Sequence, residues 1–149
     1  MSYSDLRKGR YSEPGREYFV TTVLQGRPPL FTDLYLARAF IRVLRETDKA
    51  ELGLWLAWVL MPDHFHGLVS LGAEDSLSAL LQKLKGASAL ELNRRLKRSG
   101  PLWQPGFYDH ALRKEEDRVE TARYIVANPL RAGLVKHLGD YPHWDSIWV

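Results

Sequence analysis

The sequence contains no cysteine. A disulfide scaffold and a thiolate metal centre are therefore both excluded, and any bound metal must be held by imidazole, carboxylate, amide or phenol groups. Long apolar runs are missing too. The longest, Leu52 to Met61, is too short to cross a bilayer, which takes about 20 residues. The first residues are polar and lack the apolar stretch of a secretory signal, so a cytoplasmic location without membrane contact is the expectation. No repeat, low-complexity segment or linker divides the 149 residues, a length that suits one domain, 1–149, with a real core. Carboxylate clusters are scarce as well, which argues against a hydrolase that gathers acidic side chains around a metal.

Hydrophobic residues make up 45% of the chain and charged residues 26%, the profile of a folded globular domain rather than a disordered one. The net charge is +3, which permits an anionic partner without demanding one. The excess is localised. Residues 1–16 form a basic arm with Arg7, Lys8, Arg10 and Arg16 against Asp5 and Glu13. Residues 83–98 carry Lys83, Lys85, Arg94, Arg95, Lys97 and Arg98 against Glu91.

The periodicities predict alternating strands and helices. Tyr18 to Leu24 is β-branched and aromatic, and reads as a strand broken by Gly26-Arg27-Pro28-Pro29. Asp33 is placed to cap a helix carrying Leu34, Ala37, Ile41 and Leu44. Leu52 to Met61 is apolar on both alternating sets, as in a central strand covered on both faces. Pro62-Asp63 then turns the chain into a second strand, His64 to Leu71. Ser76 can cap a long helix that ends at Ser99-Gly100-Pro101. Phe107 to Leu112 reads as a strand, and a helix from about Lys114 stops before Pro129. The tail, 133–149, reads as a loop anchored by Tyr141, Trp144 and Trp148. This βαββαβ order with an extra helix predicts an α+β fold. It is the ferredoxin-like split βαβ arrangement, an antiparallel sheet with helices on one face and an additional C-terminal helix.

Two features can carry chemistry. His64-Phe65-His66 lies on a strand, so both imidazoles project from one face and Phe65 from the other. Parallel imidazoles can grip one divalent ion, although two surface histidines that merely alternate look the same. Asp63 stands where it can orient one imidazole or simply make the turn. The second feature is Tyr124 with Asn128, four residues apart on one helix face that Glu120 and Thr121 extend. A tyrosine covering a seam and an asparagine capping the helix would also fit.

Together they describe a site. A metal held by two histidines and an amide oxygen keeps positions open for a phosphate and polarises it. Tyr124 could attack phosphorus, given a cation or metal to favour its phenolate over a free pKa of about 10. The step is reversible, as strand transfer needs. The basic residues suit a phosphate backbone or a solvated helix end. Tyr11, Trp103, Phe107 and Tyr108 could stack on unpaired bases or pack in the core.

Three segments carry a family resemblance: Met61-Pro62-Asp63-His64-Phe65-His66, Leu102 to Arg113 (LWQPGFYDHALR) and Tyr124 to Val135 (YIVANPLRAGLV). In this order and spacing the chain resembles the REP-associated tyrosine transposases, a branch of the HUH-type single-strand nucleases with one catalytic tyrosine. The resemblance covers nearly the whole chain. It implies that His64 and His66 bind the metal, magnesium or manganese, and that Tyr124 is the nucleophile. Asn128 falls where related enzymes place an amide that completes the metal site, often a longer glutamine. The implied reaction cuts single-stranded DNA next to a hairpin formed by a palindromic repeat. It leaves a 5′ phosphotyrosine and a free 3′-hydroxyl, then rejoins strands. The implied DNA contacts are the basic arm (Arg7, Lys8, Arg10) and the region of Lys83 and Lys85. The resemblance also fits a cytoplasmic, nucleoid-associated protein, and a monomer better than a homodimer. The alternative is a hairpin-binding module of the same fold without the chemistry.

Overall fold

The computed structural model describes residues 15–49, 51–72, 76–113 and 117–148. Arg7, Lys8, Arg10 and Tyr11 lie outside the described residues, as does Lys114. The strands are β1 (Glu17–Val23), β2 (Gly53–Met61), β3 (His64–Leu71), β4 (Tyr108–Ala111) and β5 (Trp144–Ser146). The helices are α1 (Leu34–Thr47), α2 (Leu77–Leu96), α3 (Arg118–Val126) and the single turn α4 (Asn128–Arg131). No helix among the described residues is long and apolar enough to cross a membrane.

The strands form one antiparallel sheet in the order β4-β1-β3-β2-β5. Its first four members have the expected split βαβ connectivity. The fifth corrects the reading of the tail as a loop. Trp144–Ser146 pairs with Ala57–Val59 of β2 and so shields an apolar strand that would otherwise form the sheet edge. Three residues are too few to show a period of two.

The helices begin where their caps stand. The Asp33 carboxylate accepts from the amides of Tyr35 (2.8 Å) and Leu36 (3.2 Å), and the Ser76 hydroxyl from that of Ala79 (3.1 Å). The third helix starts later than its sequence suggests, because Asp117 accepts from Val119 (2.8 Å) and Glu120 (3.2 Å). Pro129 does not end helical structure outright. The chain pauses at Ala127 and restarts as α4 with the proline in its first turn, where its missing N–H is not needed.

The sheet separates two apolar layers. One face packs Tyr18, Val20, Phe65 and Val69 against Phe40 of α1 and Leu80, Leu81 and Leu84 of α2. The other packs Leu56, Ala57, Val59 and Leu68 against Ala122, Ile125 and Val126 of α3. Two helices thus share one face, and the tyrosine-bearing helix covers the other. Strict alternation along β2 would put Leu56 with Trp58 and Leu60. Instead a bulge between Trp55 and Ala57 sends Trp55, Trp58 and Leu60 to the α1–α2 layer and Leu56, Ala57 and Val59 to the α3 layer.

Candidate active site

The turn at Pro62-Asp63 delivers the two histidines to the start of β3. Phe65, fully buried, enters the α1–α2 layer, so His64 and His66 face the α3 side. Their ring centroids are 4.7 Å apart, but the planes cross at 80° rather than lying parallel. Different anchors cause this. His64 Nδ1 donates to Asp63 Oδ1 at 2.6 Å. His66 Nδ1 lies 2.7 Å from Thr21 Oγ1, because Thr21 is its cross-strand partner on β1. Asp63 therefore orients an imidazole as well as making the turn, and its other oxygen accepts from Arg27 Nε at 2.9 Å.

These contacts use both Nδ1 atoms and leave both Nε2 atoms available to a ligand. Burial, then the charges of His64 and Arg131, push the His66 pKa down to about 4. Its ring is therefore neutral at physiological pH. Burial pushes the Asp63 carboxyl up, but hydrogen bonds and charges from His64 and Arg27 outweigh it and hold the pKa below its ordinary value.

Tyr124 is 59% exposed on α3, while Ala122, Ile125 and Val126 turn inward. Its ring borders an open cleft of about 720 Å³ walled by Phe19, His110, Glu120 and Thr121. The guanidinium of Arg131 lies 3.8 Å from the centre of the Tyr124 ring, and Arg131 Nη2 donates to the Tyr124 carbonyl at 2.6 Å. Asn128, half-buried, donates from Nδ2 to the Ile125 carbonyl at 2.9 Å. Its amide nitrogen is thus occupied in the helix turn, and Oδ1 is the atom that can ligate.

Arg131 and His110 are the residues that sequence reasoning missed. Arg131 follows a proline that reads as a helix stop, so nothing signals that the chain folds back over Tyr124. His110 gave a clearer hint. It pairs with Phe19 across β1 and β4, and a histidine in a short strand facing the same layer as His66 could have been noted.

The suggested DNA-contact residues divide. Lys83 is exposed on α2. Lys85 instead donates to the carbonyls of Gln104 (2.8 Å) and Gly106 (2.6 Å), with its pKa lowered by burial, and so holds the loop that leads to β4. At the end of α2, Arg94 and Arg95 both pair with Glu91, at 2.6 and 2.8 Å. Trp103 and Phe107 belong to the core, whereas Tyr108 is 53% exposed.

Residues 15–128 match the family described as "Transposase IS200 like", a span that holds His64, His66, Tyr124 and Asn128. A REP-associated tyrosine transposase of Escherichia coli (strain K12) is 31% identical over 135 residues, covering 89% of this chain and 76% of the relative. The solved structure of a REP-associated tyrosine transposase bound to a REP hairpin superposes with a TM-score of 0.70 at 30% identity, over 91% of this chain and 79% of that one. A second solved structure, from Deinococcus radiodurans, repeats the fold at 24% identity and a TM-score of 0.56, over 79% of this chain and 94% of that one. The chain belongs to the IS200-like transposase family.

Proposed function

We propose that this enzyme cuts and rejoins single-stranded DNA beside a hairpin-forming palindromic repeat, with Tyr124 as the nucleophile. The observation that carries the reading is an exposed tyrosine, braced by an arginine, on the sheet face that also presents two imidazoles with free Nε2 atoms. The E. coli relative's name and the hairpin in the similar structure support the substrate.

The donor set fits a divalent ion, Mg²⁺ or Mn²⁺. Among the described residues no three His, Cys or carboxylate groups gather, so the set is the Nε2 atoms of His64 and His66 with Asn128 Oδ1. Two nitrogens and one amide oxygen leave positions open to a phosphate. When bound, the ion supplies Lewis-acid polarisation of the scissile phosphate.

The chain's own part begins with the Tyr124 hydroxyl, which loses its proton to solvent as its oxygen attacks phosphorus. The bond from phosphorus to the 3′ oxygen breaks, and that oxygen takes up a proton to become a free 3′-hydroxyl. Phosphorus keeps the same number of ester bonds, so a 3′-hydroxyl can attack in reverse and restore the strand. Arg131 holds the phenol ring from one face. Arg7, Lys8, Arg10 and Lys83 contact the DNA backbone in this reading, while Lys85 contributes by fixing the 104–106 loop beside it.

The test incubates the protein with labelled hairpin-bearing single-stranded DNA and Mn²⁺. A covalent adduct through the 5′ phosphate at the cut is expected, with the other fragment released as a free 3′-hydroxyl; Tyr124→Phe abolishes the adduct and His64→Ala weakens metal-dependent cleavage. An adduct that survives Tyr124→Phe would refute the nucleophile assignment. Cleavage without any adduct would indicate a hydrolase using water, and binding alone a non-catalytic module.

A further inference from the structure

We propose that Arg38, Arg42 and Arg45, a row of arginines on α1, form a docking surface for the phosphate backbone of the hairpin's paired stem. The proposal rests on the hairpin substrate advanced above, but not on the cleavage chemistry.

Several cationic residues elsewhere in the described structure are already engaged. Arg27 is paired with Asp63, Arg94 and Arg95 with Glu91, and Arg118 with Glu17. Lys85 is spent on two carbonyls, and Arg131 lies over Tyr124. The α1 row differs. Arg38, Arg42 and Arg45 are all exposed, and no carboxylate among the described residues forms an ion pair with any of them. At about 100° per residue the three side chains fall within about 60° of one another around the helix. Three like charges on one stripe repel, which is a cost without an anionic partner.

The row has a shape as well as a charge. The three arginines line one groove of about 420 Å³, closed on the far side by Pro142 and His143. The row is about 10 Å long at about 1.5 Å per residue, the axial length of about three nucleotides of a duplex strand at about 3.4 Å each. No Phe, Tyr or Trp lines the groove, so it lacks the stacking platform that single strands use. A guanidinium row without aromatics suits phosphates held at the regular spacing of a duplex.

Its position favours the same substrate. The His143 carbonyl accepts from the Leu60 amide at 2.9 Å, and Leu60 pairs with Phe65, which stands between His64 and His66. The groove therefore opens at the end of the sheet that carries the histidine pair. A stem docked on α1 would leave its flanking single strand at that end.

The experiment measures hairpin affinity by fluorescence anisotropy between about 50 and 200 mM salt, for wild type and for Arg38→Gln/Arg42→Gln/Arg45→Gln. Each phosphate contact contributes about 0.9 to the slope of log affinity against log salt on duplex DNA. Loss of three contacts lowers the slope by about 2.7, so the variant's deficit narrows about 40-fold across that range. A triple Lys variant, which keeps the charge, is expected to retain most of the slope. An Arg94→Gln/Arg95→Gln control removes charges already paired and should change it little. Binding of an unstructured single strand should fall much less than binding of the hairpin. A wild-type slope in the folded triple Gln variant overturns the proposal, as does an equal loss for the unstructured strand, or a wild type that does not bind the hairpin. Adduct formation at saturating DNA separates the two ideas. Its absence in wild type refutes the chemistry above, whereas a changed slope still supports this surface.

Discussion

The Arg131 guanidinium lies 3.8 Å from the centre of the Tyr124 ring and reaches back to the Tyr124 carbonyl. The same charge helps to lower the His66 pKa, so Arg131 is electrostatically linked to both halves of the site. Both partners are exposed, and an exposed cation–π contact is worth about 0.5–1 kcal/mol, equivalent to about two- to fivefold in rate. Arg131→Ala should therefore slow single-turnover adduct formation by about two- to fivefold at saturating DNA, with little change in hairpin affinity. Arg131→Lys keeps a charge without the plane and should fall between. Wild-type adduct kinetics in Arg131→Ala would remove Arg131 from the positioning of the nucleophile.

The imidazole anchors give a second expectation. Thr21 and Asp63 fix the two Nδ1 atoms, and removing such a partner typically weakens metal binding about 10- to 100-fold. Thr21→Val removes only the hydroxyl, and Asp63→Asn removes the charge. Calorimetric titration with Mn²⁺ should show each variant binding more weakly, with hairpin affinity in chelator nearly intact. Two variants with wild-type metal affinity would mean that the imidazoles need no such support.

Much of this was legible in the sequence because it rests on local rules. Alternation put His64 and His66 on one face, and Asp33 and Ser76 marked helix starts. What stayed hidden depends on tertiary neighbours. Nothing local says that the rings of His64 and His66 are perpendicular, since that follows from one anchor in the turn and another on β1. The bulge in β2 shifts register within a continuously apolar run, where periodicity carries no signal. The basic character of α2 was visible in the composition, but not that Glu91 pairs with both Arg94 and Arg95 while the arginines of α1 form no ion pair among the described residues.

The depressed pKa of His66 predicts a pH dependence for the metal-free protein. In the unfolded chain a histidine titrates near 6.5, whereas burial with the charges of His64 and Arg131 lowers His66 to about 4 in the fold. Between those values the unfolded state binds the proton more readily. The neutral ring's contribution is thus complete above about pH 6.5 and is lost as the pH falls toward about 4. It amounts to at most about 3 kcal/mol. Urea unfolding in chelator should show stability falling across that window, and His66→Gln should flatten the fall. An unchanged slope in the variant would assign the effect to another group.

Gly67, directly after His66, shows how closely the core behind the site is packed. A Cβ there would lie 2.5 Å from Trp55 Cζ3, 2.8 Å from Trp55 Cε3 and 3.1 Å from Phe65 Cε2. The indole has little room to retreat. Its Nε1 donates to Thr47 Oγ1 at 3.0 Å, and its ring meets Phe65 edge-on at 5.4 Å. Gly67→Ala should therefore destabilise the fold by about 1–3 kcal/mol, the usual cost of overpacking a core, and weaken metal binding by displacing the strand beside His66. Trp55→Phe is smaller at the point of collision, so adding it to Gly67→Ala should cost less than the sum of the two single changes. Strict additivity in chemical denaturation would show that the clash with Trp55 is not the cause.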